Sequence, residues 1–335
     1  MAVRMAFVGF RHGHITSIYK QAQECEYVEV VGAVEEDPAH RGDFAEPAGI
    51  ELTHETMDEL LDDVDCDVIA TGDYYGKRGQ ITIDALKANK HVLADKPMCT
   101  SRKQLEEIKS LCEANDREIM IALTMRYNPG PRWMAQVVQE GGIGEFCTGI
   151  VIGLHPLAHG TRPDWYFEEG KQGGTINDLF IHGTDMIRWA TELEFEKVIA
   201  AEAWNARADW APFFQDSAQV VYEMNNAAKV MADVSYLTPE AAGWGPWEFF
   251  LWGTEGHVHV QGDDLLWQRA DEGDMPLEAV DPPAFENCVT DFASHLEEGT
   301  PRLLSMDDCL EAQLASLAGQ EAADTETRDM PMPSL

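Results

Sequence analysis

Basic residues are scarce in this 335-residue chain: 24 Lys and Arg face 60 Asp and Glu, which gives a formal net charge of −36 at pH 7. Such a charge repels the phosphate backbone of nucleic acids and the surface of an anionic membrane. The densest basic clusters are short, at Lys77-Arg78 and at residues 87–90. We therefore expect neither nucleic acid nor membrane as a partner. A solvated surface explains the acidity, and adaptation to high salt is the alternative.

Long hydrophobic runs and cysteine pairs are also missing. No apolar run approaches the roughly 18 residues that a membrane-spanning helix needs, and the apolar start of the chain is too short for a signal peptide. The seven cysteines are an odd number and include no Cys-x-x-Cys pair, which argues against a disulfide scaffold and a zinc ribbon. We expect a soluble, cytoplasmic protein without a metal site.

The pattern along the chain predicts two domains. Residues 1–125 alternate strand-like runs (3–8, 27–34, 67–71, 91–94 and 118–123) with helical patterns, which predicts an α/β Rossmann domain with a doubly wound parallel sheet. Residues 126–320 begin with a helix and continue as consecutive strands, which predicts an α+β domain with a mostly antiparallel, open-faced sheet. Two closing helices are predicted at 285–298 and 306–319. Residues 321–335 are acidic, and we expect a mobile tail there.

The turn after the first predicted strand reads Gly9-Phe10-Arg11-His12-Gly13-His14. Glycines in the pattern G-x-G-x-x-G let the backbone approach a pyrophosphate at the N-terminus of the following helix. Only Gly9 is in register, so an ordinary strand-to-helix turn is an equally good interpretation. The cationic Arg11 could itself pair with a phosphate.

Glu35 ends the second predicted strand, about 20 residues beyond the glycine turn. A carboxylate at this position accepts hydrogen bonds from the adenosine ribose and repels a 2′-phosphate. The alternative is a polar turn, because acidic residues are abundant in this chain. The position of Glu35 favours the ribose contact and therefore favours NAD over NADP.

Two further features point to chemistry. Lys96 follows the fourth predicted strand, at the carboxyl edge of the sheet, where ligands of parallel sheets bind. Asp178 and His182 are four residues apart, which places them on one face if the segment is helical. Taken singly, each has an ordinary explanation: a solvated lysine, and a carboxylate near a helix start with a packed histidine.

Together these motifs resemble the Gfo/Idh/MocA oxidoreductases, named for glucose-fructose oxidoreductase and inositol dehydrogenase, over about residues 3–320. Asp95-Lys96-Pro97 is similar to the Glu-Lys-Pro motif of that family, and Arg126-Tyr127-Asn128-Pro129 is similar to its Arg-aromatic-Asn-Pro motif. Residues 141–145 and 173–185 resemble its glycine turn and its Gly-rich stretch with Asp and His. The chain departs from the family pattern in the glycine loop, at Asp95, at Phe180 and at residues 71–73.

The resemblance implies hydride transfer between nicotinamide and a secondary alcohol of a sugar, cyclitol or polyol. NAD is the expected cofactor, with NADP as the alternative. The second domain would bind the substrate and form a homodimer or homotetramer through its sheet. The implied catalytic residues are Lys96, Asp178 and His182. The implied cofactor contacts are Gly9, Arg11, His12, Gly13, His14, Glu35, Thr71, Gly72, Asp73, Asp95, Lys96 and Arg126.

The segment 154–166 offers hydrogen-bonding groups and flat aromatic rings, a mixture that suits a sugar or cyclitol. The alternative places these rings in the core or in an oligomer interface. His155, His159 and His182 match no standard spacing of metal ligands. We assign His182 as the acid/base and Lys96 as the group that polarises the substrate oxygen. The expected substrate contacts are His155, His159, Arg162, Trp165 and Tyr166.

Two other classes of function are compatible with the same fold. A glycosidase or lyase could use NAD transiently, without net redox change, and a nucleotide-binding sensor would have no catalysis. Lys96, Asp178 and His182 argue against the sensor, which has no need of them. Net cofactor turnover separates the redox-neutral enzyme from a dehydrogenase.

Overall fold

The computed structural model describes residues 2–243, 245, 247–262, 264–276 and 286–335, without the side chains of residues 43 and 44. The described residues form two compact units. The first comprises residues 2–124, 286–310 and 335, and the second comprises the described residues between 125 and 276 together with 311–334. The first unit thus ends one residue before the predicted boundary. The placement of residues 286–310 in the first unit differs from the sequence pattern, which put everything from 126 to 320 in the second domain.

The first unit is built on a five-stranded parallel sheet with the order β2-β1-β3-β4-β5, which confirms the predicted doubly wound architecture. Four of its strands are almost wholly buried, as expected for a sheet covered on both faces, and the edge strand β2 is partly exposed in its first half. The strands are β1 Val3–Val8, β2 Val28–Val34, β3 Val68–Thr71, β4 His91–Ala94 and β5 Ile119–Ile121. The helices are α1 Gly13–Glu24, α2 Pro38–His40, α3 Met57–Asp63, α4 Tyr75–Lys87, α5 Arg102–Asn115 and α8 Cys288–Glu298.

The strand order reverses direction beside β1, where β2 lies on one side and β3 on the other. At such a switch point the loops after the two central strands diverge and leave a crevice at their carboxyl ends. The turn after β1 and the residues after β3 and β4 therefore lie at the edge that binds ligands in this class of sheet.

The second unit contains a nine-stranded sheet with the order β13-β12-β11-β10-β6-β9-β8-β7-β14. Among the described strands of this second sheet only β6 and β9 pair in parallel, so the predicted mostly antiparallel sheet is confirmed. The strands are β6 Phe146–Pro156, β7 Phe195–Trp204, β8 Ser217–Met224, β9 Lys229–Thr238, β10 Trp247–Gly253, β11 Gly256–Gln261, β12 Asp264–Arg269, β13 Gly273–Asp274 and β14 Met330–Pro331. The helices α6 Pro129–Gln139 and α7 Ile181–Thr191 also belong to this unit.

The end of the chain differs from the mobile tail that composition predicts. The last helix, α9, continues from Met306 to Asp324, and β14 pairs with the edge strand β7. The backbone N–H of Asp329 donates to the carbonyl of Ile199 at 3.0 Å. An edge strand such as β7 offers backbone N–H and C=O groups that can pair with a further strand. Pro331 is tolerated in β14 because β14 forms the new edge of the sheet, where one side of the strand makes no ladder hydrogen bonds. Pairing of this kind has no signature in the composition of the tail.

The helix predicted from residue 285 begins, in the described residues, at Cys288. The Asn287 side chain accepts hydrogen bonds from the backbone N–H groups of Val289 and Thr290, and so caps the helix. The predicted start at Phe285 lies outside the described residues. In the part of the chain that is described, no helix combines the length and the apolar character needed to cross a bilayer.

Candidate active site

The turn after β1 is shaped to bring backbone close to a ligand. Gly9 has a φ of 81°, and a Cβ at this position would lie 2.6 Å from the Cβ of Asp73. Only glycine fits there. Helix α1 begins at Gly13, and its first turn contains no acidic residue although the chain carries 60 of them. A helix N-terminus of this kind attracts an anion such as a pyrophosphate.

The residues after β3 also fit a bound dinucleotide. The Thr71 side chain is fully buried, and its hydroxyl oxygen has no hydrogen-bond partner within the described residues. A buried hydroxyl without a partner is costly, and a polar ligand group at the sheet edge would supply one. A Cβ on Gly72 would lie 2.2 Å from Ile15, so glycine here lets α1 pack against the sheet.

Arg11, in the turn after β1, is surrounded by carboxylates that follow β2 and β3. Its Nε is 3.4 Å from an oxygen of Glu35 and 3.5 Å from an oxygen of Asp73, and its guanidinium lies over the ring of Tyr74. Glu35 is fully buried, and it also accepts a hydrogen bond of 2.7 Å from the backbone N–H of Phe10. The structure therefore brings Glu35, which is predicted to bind the ribose, and Arg11, which is predicted to bind a phosphate, into one ion-paired group. Their contacts with a cofactor stay predictions.

Asp95, next to Lys96, is the centre of a buried polar cluster. One carboxylate oxygen is 2.6 Å from Nδ1 of His12 and 2.8 Å from the Arg78 guanidinium, and the other is 3.2 Å from Nδ1 of His14. Burial would raise the pKa of Asp95, but the Arg78 charge and the two histidines hold it well below its usual range. Asp95 is therefore a carboxylate at neutral pH. Arg78 is a site residue that the sequence analysis missed, because Lys77-Arg78 was considered only as a short basic cluster.

The burial of His12 predicts a pH-dependent stability. Burial lowers the pKa of His12 from 6.5 to about 3, so the folded protein keeps the ring neutral where the unfolded chain takes up a proton. The free energy of unfolding should therefore fall as pH drops from about 6.5 toward 3. In urea denaturation at pH 7.5 and pH 5, we expect a smaller loss of stability for His12→Gln than for the wild type. Equal losses would contradict a neutral buried His12.

In the second unit, Asp178 and His182 lie on consecutive turns. Residues Ile176–Phe180 form a π-helical turn that leads directly into α7. Both side chains are buried, with 1% exposure for Asp178 and 7% for His182. The Tyr236 hydroxyl donates a hydrogen bond to the Asp178 carboxylate, and the His182 ring lies 5.5 Å from the ring of Trp247.

Tyr236 is held as a neutral phenol. Burial and then the neighbouring charge of Asp178 raise its pKa well above 10, so its hydroxyl stays a proton donor to Asp178 over the whole range in which enzymes work. The sequence analysis missed Tyr236 because it predicted the strand but assigned no role to its side chains. A signal was available: inward-facing residues near the end of a strand line one face of an open sheet.

Arg162 packs against the same tyrosine. Its guanidinium lies over the rings of Tyr166 and Tyr236, at 4.4 and 4.9 Å from their centroids. It also donates to the backbone carbonyls of Pro156 and Leu157, each at 2.9 Å. The predicted substrate residues Arg162 and Tyr166 thus lie beside the Asp178–Tyr236 pair.

The other predicted substrate residues divide into two groups. His155 lies 6.3 Å, ring to ring, from both Tyr236 and Trp247, and so joins the cluster around Asp178. Trp165 is only 5% exposed and stacks on Tyr166, as the core interpretation expects. His159 lies elsewhere in the unit, with its ring 4.2 Å from that of Trp210.

Arg126 has a structural partner. It belongs to the second unit, is 1% exposed and binds Asp185 through Nε and a terminal nitrogen at 2.9 and 2.6 Å. The sequence motif that contains Arg126 carries no sign of Asp185, which lies 59 positions later. The cofactor contact implied for Arg126 stays a prediction.

Family models match both units. Residues 3–123 match the model described as an oxidoreductase family with an NAD-binding Rossmann fold, and residues 132–259 match the GFO/IDH/MocA C-terminal domain. The chain belongs to the GFO/IDH/MocA family. The first unit of this GFO/IDH/MocA protein is therefore an NAD-binding Rossmann domain.

Individual relatives are distant. Inositol 2-dehydrogenase 3 from Saccharopolyspora erythraea is 22% identical over 52% of this chain and 50% of its own length. Levoglucosan dehydrogenase from Pseudarthrobacter phenanthrenivorans is 26% identical over 46% of this chain and 40% of its own length. The chain thus spans about half the length of these curated relatives. The crystal structure of aldose-aldose oxidoreductase from Caulobacter crescentus, complexed with glycerol, superposes with a TM-score of 0.78 at 20% identity, over 98% of this chain and 99% of that one. That likeness shows the shared fold.

Proposed function

We propose that this chain is an NAD-dependent dehydrogenase that oxidises a secondary alcohol of a sugar, cyclitol or related polyol. One observation carries the proposal: the buried Asp178–Tyr236 pair stands beside Arg162 in the second unit of an NAD-binding oxidoreductase. Ionisable groups that burial and a specific partner perturb are typical of catalytic sites.

The cofactor would be held by backbone groups and by two side chains. The turn at Gly9 and the N-terminus of α1 would bind the pyrophosphate, and Glu35 would bind the adenosine ribose. The Thr71 hydroxyl would gain the hydrogen-bond partner that it lacks within the described residues. When bound, nicotinamide supplies the hydride acceptor.

The side chains of the protein would manage the proton. His182 would take the hydroxyl proton as the carbon loses its hydride, and Lys96 would polarise the substrate oxygen. Asp178, fixed by the Tyr236 hydroxyl, orients the groups around the alcohol. Lys96 is 2% exposed and lies directly after the buried Asp95, so its backbone position is fixed by the Asp95–Arg78 ion pair.

The surroundings of Asp178 suit a polyhydroxylated ring. Trp247 and His155, which are both partly exposed, offer an aromatic face and ring nitrogen atoms beside the Asp178–Tyr236 pair. Sugars need both, because their hydroxyls require partners and their C–H faces stack on aromatic rings. The names of the inositol and levoglucosan dehydrogenases among the relatives agree with this class of substrate.

A screen in two steps tests the proposal. Melting curves with NAD present, against a panel of sugars, cyclitols and polyols, identify compounds that stabilise the protein. Each stabilising compound is then incubated with NAD while the absorbance of NADH is recorded. NADH formation with at least one compound is the expected result. Stabilisation without net NADH formation, for every compound in the panel, would favour a sensor or a redox-neutral enzyme.

We predict tighter binding of NAD than of NADP, because the Glu35 carboxylate would repel a 2′-phosphate. Calorimetric titrations of the wild type with both cofactors measure the preference. The Glu35→Gln variant keeps the shape of the side chain but removes its charge, so its preference for NAD should be smaller. Arg11→Ala serves as the matched variant, because it removes the cation that could attract the same phosphate. Tighter binding of NADP that persists in Arg11→Ala would overturn the assignment of Glu35.

A further inference from the structure

The second unit exposes a group of aromatic rings that the site above does not include. Phe167, Trp210 and Phe213, here called the outer platform, border a shallow groove of about 580 Å³. Trp210 is 47% exposed and Phe213 is 58% exposed, the two highest values among the large hydrophobic side chains of the described residues. The ring of Trp210 lies 4.7 Å from that of Phe167. Singly exposed apolar side chains are common, whereas a group of neighbouring exposed aromatic rings can mark a binding surface.

The loop that carries Trp210 and Phe213 is fixed by buried hydrogen bonds. Asp216 is fully buried, and its carboxylate accepts the backbone N–H groups of residues 206, 207 and 208 at 2.7–2.9 Å. The Asn205 side chain donates to the carbonyl of Phe214 at 3.1 Å. The exposed rings are therefore presented by an ordered loop, and their exposure is built into the fold.

Ring contacts connect the outer platform to the proposed active site. Phe167 packs on Phe214 at 5.1 Å between ring centroids, and Phe214 packs on Tyr236 at the same distance. Tyr236 in turn donates its hydroxyl hydrogen to Asp178. Only the buried ring of Phe214 therefore separates the platform from the tyrosine that holds Asp178, so two linked sugar rings are long enough to reach from one to the other.

The chemistry of the groove is that of a sugar site. Aromatic faces stack on the C–H faces of a pyranose ring, and the exposed carboxylates of Glu168 and Glu169, which also line the groove, can accept its hydroxyl hydrogens. A stable protein interface buries about 800 Å² on each partner, far more than three rings provide.

We propose that the outer platform binds a second sugar ring, so that the substrate is a glycoside or disaccharide whose reacting ring lies at Asp178 and His182. This proposal rests on the proposed function, since it assigns the substrate class of the same site. The platform and the site belong to one unit of the chain.

Matched substrates test the platform. The kcat/KM values for cellobiose and methyl β-glucoside, and for lactose and methyl β-galactoside, are compared in the wild type and in Trp210→Ala. Loss of one aromatic stacking contact should lower the ratio of disaccharide to methyl glycoside about tenfold. Trp204→Ala removes another exposed tryptophan of the same unit, 37% exposed on β7, and should leave the ratio unchanged.

An unchanged ratio in Trp210→Ala would overturn the proposal. If light scattering then also shows a smaller oligomer for Trp210→Ala than for the wild type, the platform joins copies of the chain instead.

A binding measurement separates this proposal from the proposed function. Calorimetric titration of the protein with cellobiose and lactose requires no turnover. Disaccharide binding that weakens about tenfold in Trp210→Ala but not in Trp204→Ala supports the platform. If this result is obtained while no NADH forms, only the assignment as a dehydrogenase fails. If neither disaccharide binds and neither is oxidised, the platform proposal is wrong.

Discussion

Replacing Lys96 or His182 with alanine is expected to lower turnover by at least about 10²-fold, the usual effect of losing a positioned acid/base or a group that stabilises developing charge. The rate is measured as single-turnover formation of NADH with the best substrate from the screen. His182→Ala should change NAD affinity little, because His182 belongs to the second unit and the Rossmann fold to the first. Lys96→Ala is expected to weaken both turnover and cofactor binding.

Two controls make this result specific. Lys87→Ala removes a lysine that is 53% exposed and paired with Glu107 on the surface, and it should keep the wild-type rate. Asp178→Asn keeps the shape of the side chain but removes its charge, so its effect should appear mainly in the pH dependence of turnover. Rates close to the wild type in both Lys96→Ala and His182→Ala would refute their assignment as catalytic residues.

Replacing Arg126 with methionine is expected to destabilise the protein by about 3–5 kcal/mol, because Asp185 would be left as a buried carboxylate without its cation. The pair is almost completely enclosed, with 1% exposure of each side chain. The free energy of unfolding is measured by urea denaturation of the wild type and the variant.

An exposed ion pair provides the matched control for Arg126. Arg102 and Glu106 lie one turn apart on α5 with side-chain exposures of 42% and 53%, and Arg102→Met should cost less than about 1 kcal/mol. The double variant Arg126→Met with Asp185→Leu removes both charges and should recover much of the lost stability. A cost for Arg126→Met no larger than that for Arg102→Met would show that the buried pair does not stabilise the second unit.

The first unit could be predicted from the sequence almost element by element. The predicted strands at 3–8 and 91–94 coincide with β1 and β4, because a strand that is buried on both faces leaves a continuous apolar run between polar turns. The strands of the second sheet were also predictable from alternation, but not its order. The parallel pairing of β6 with β9 joins segments about 80 residues apart, and local patterns carry no information on such pairing.

Site residues that belong to a sequence motif were predictable, whereas residues that only the fold brings to the site were much less so. Asp178 and His182 were chosen from their spacing and from the family resemblance, and the structure places both in the interior of the second unit. Tyr236 and Arg78 escaped notice because each reaches its carboxylate from another element of structure. Tyr236 lies 58 positions from Asp178, and Arg78 lies 17 positions from Asp95. Nothing in the sequence around Arg78 distinguishes a fully buried guanidinium from a surface one.

Isotope transfer tests the central claim most directly. The protein is incubated with NAD and with a substrate that carries deuterium at the carbon of the reacting alcohol, and the nicotinamide product is analysed by mass spectrometry. Direct hydride transfer predicts NADH that contains one deuterium, formed at a rate that falls sharply in His182→Ala. NADH without deuterium, or deuterium retained in the substrate while bound NAD stays oxidised throughout, would contradict the assignment of this chain as a dehydrogenase.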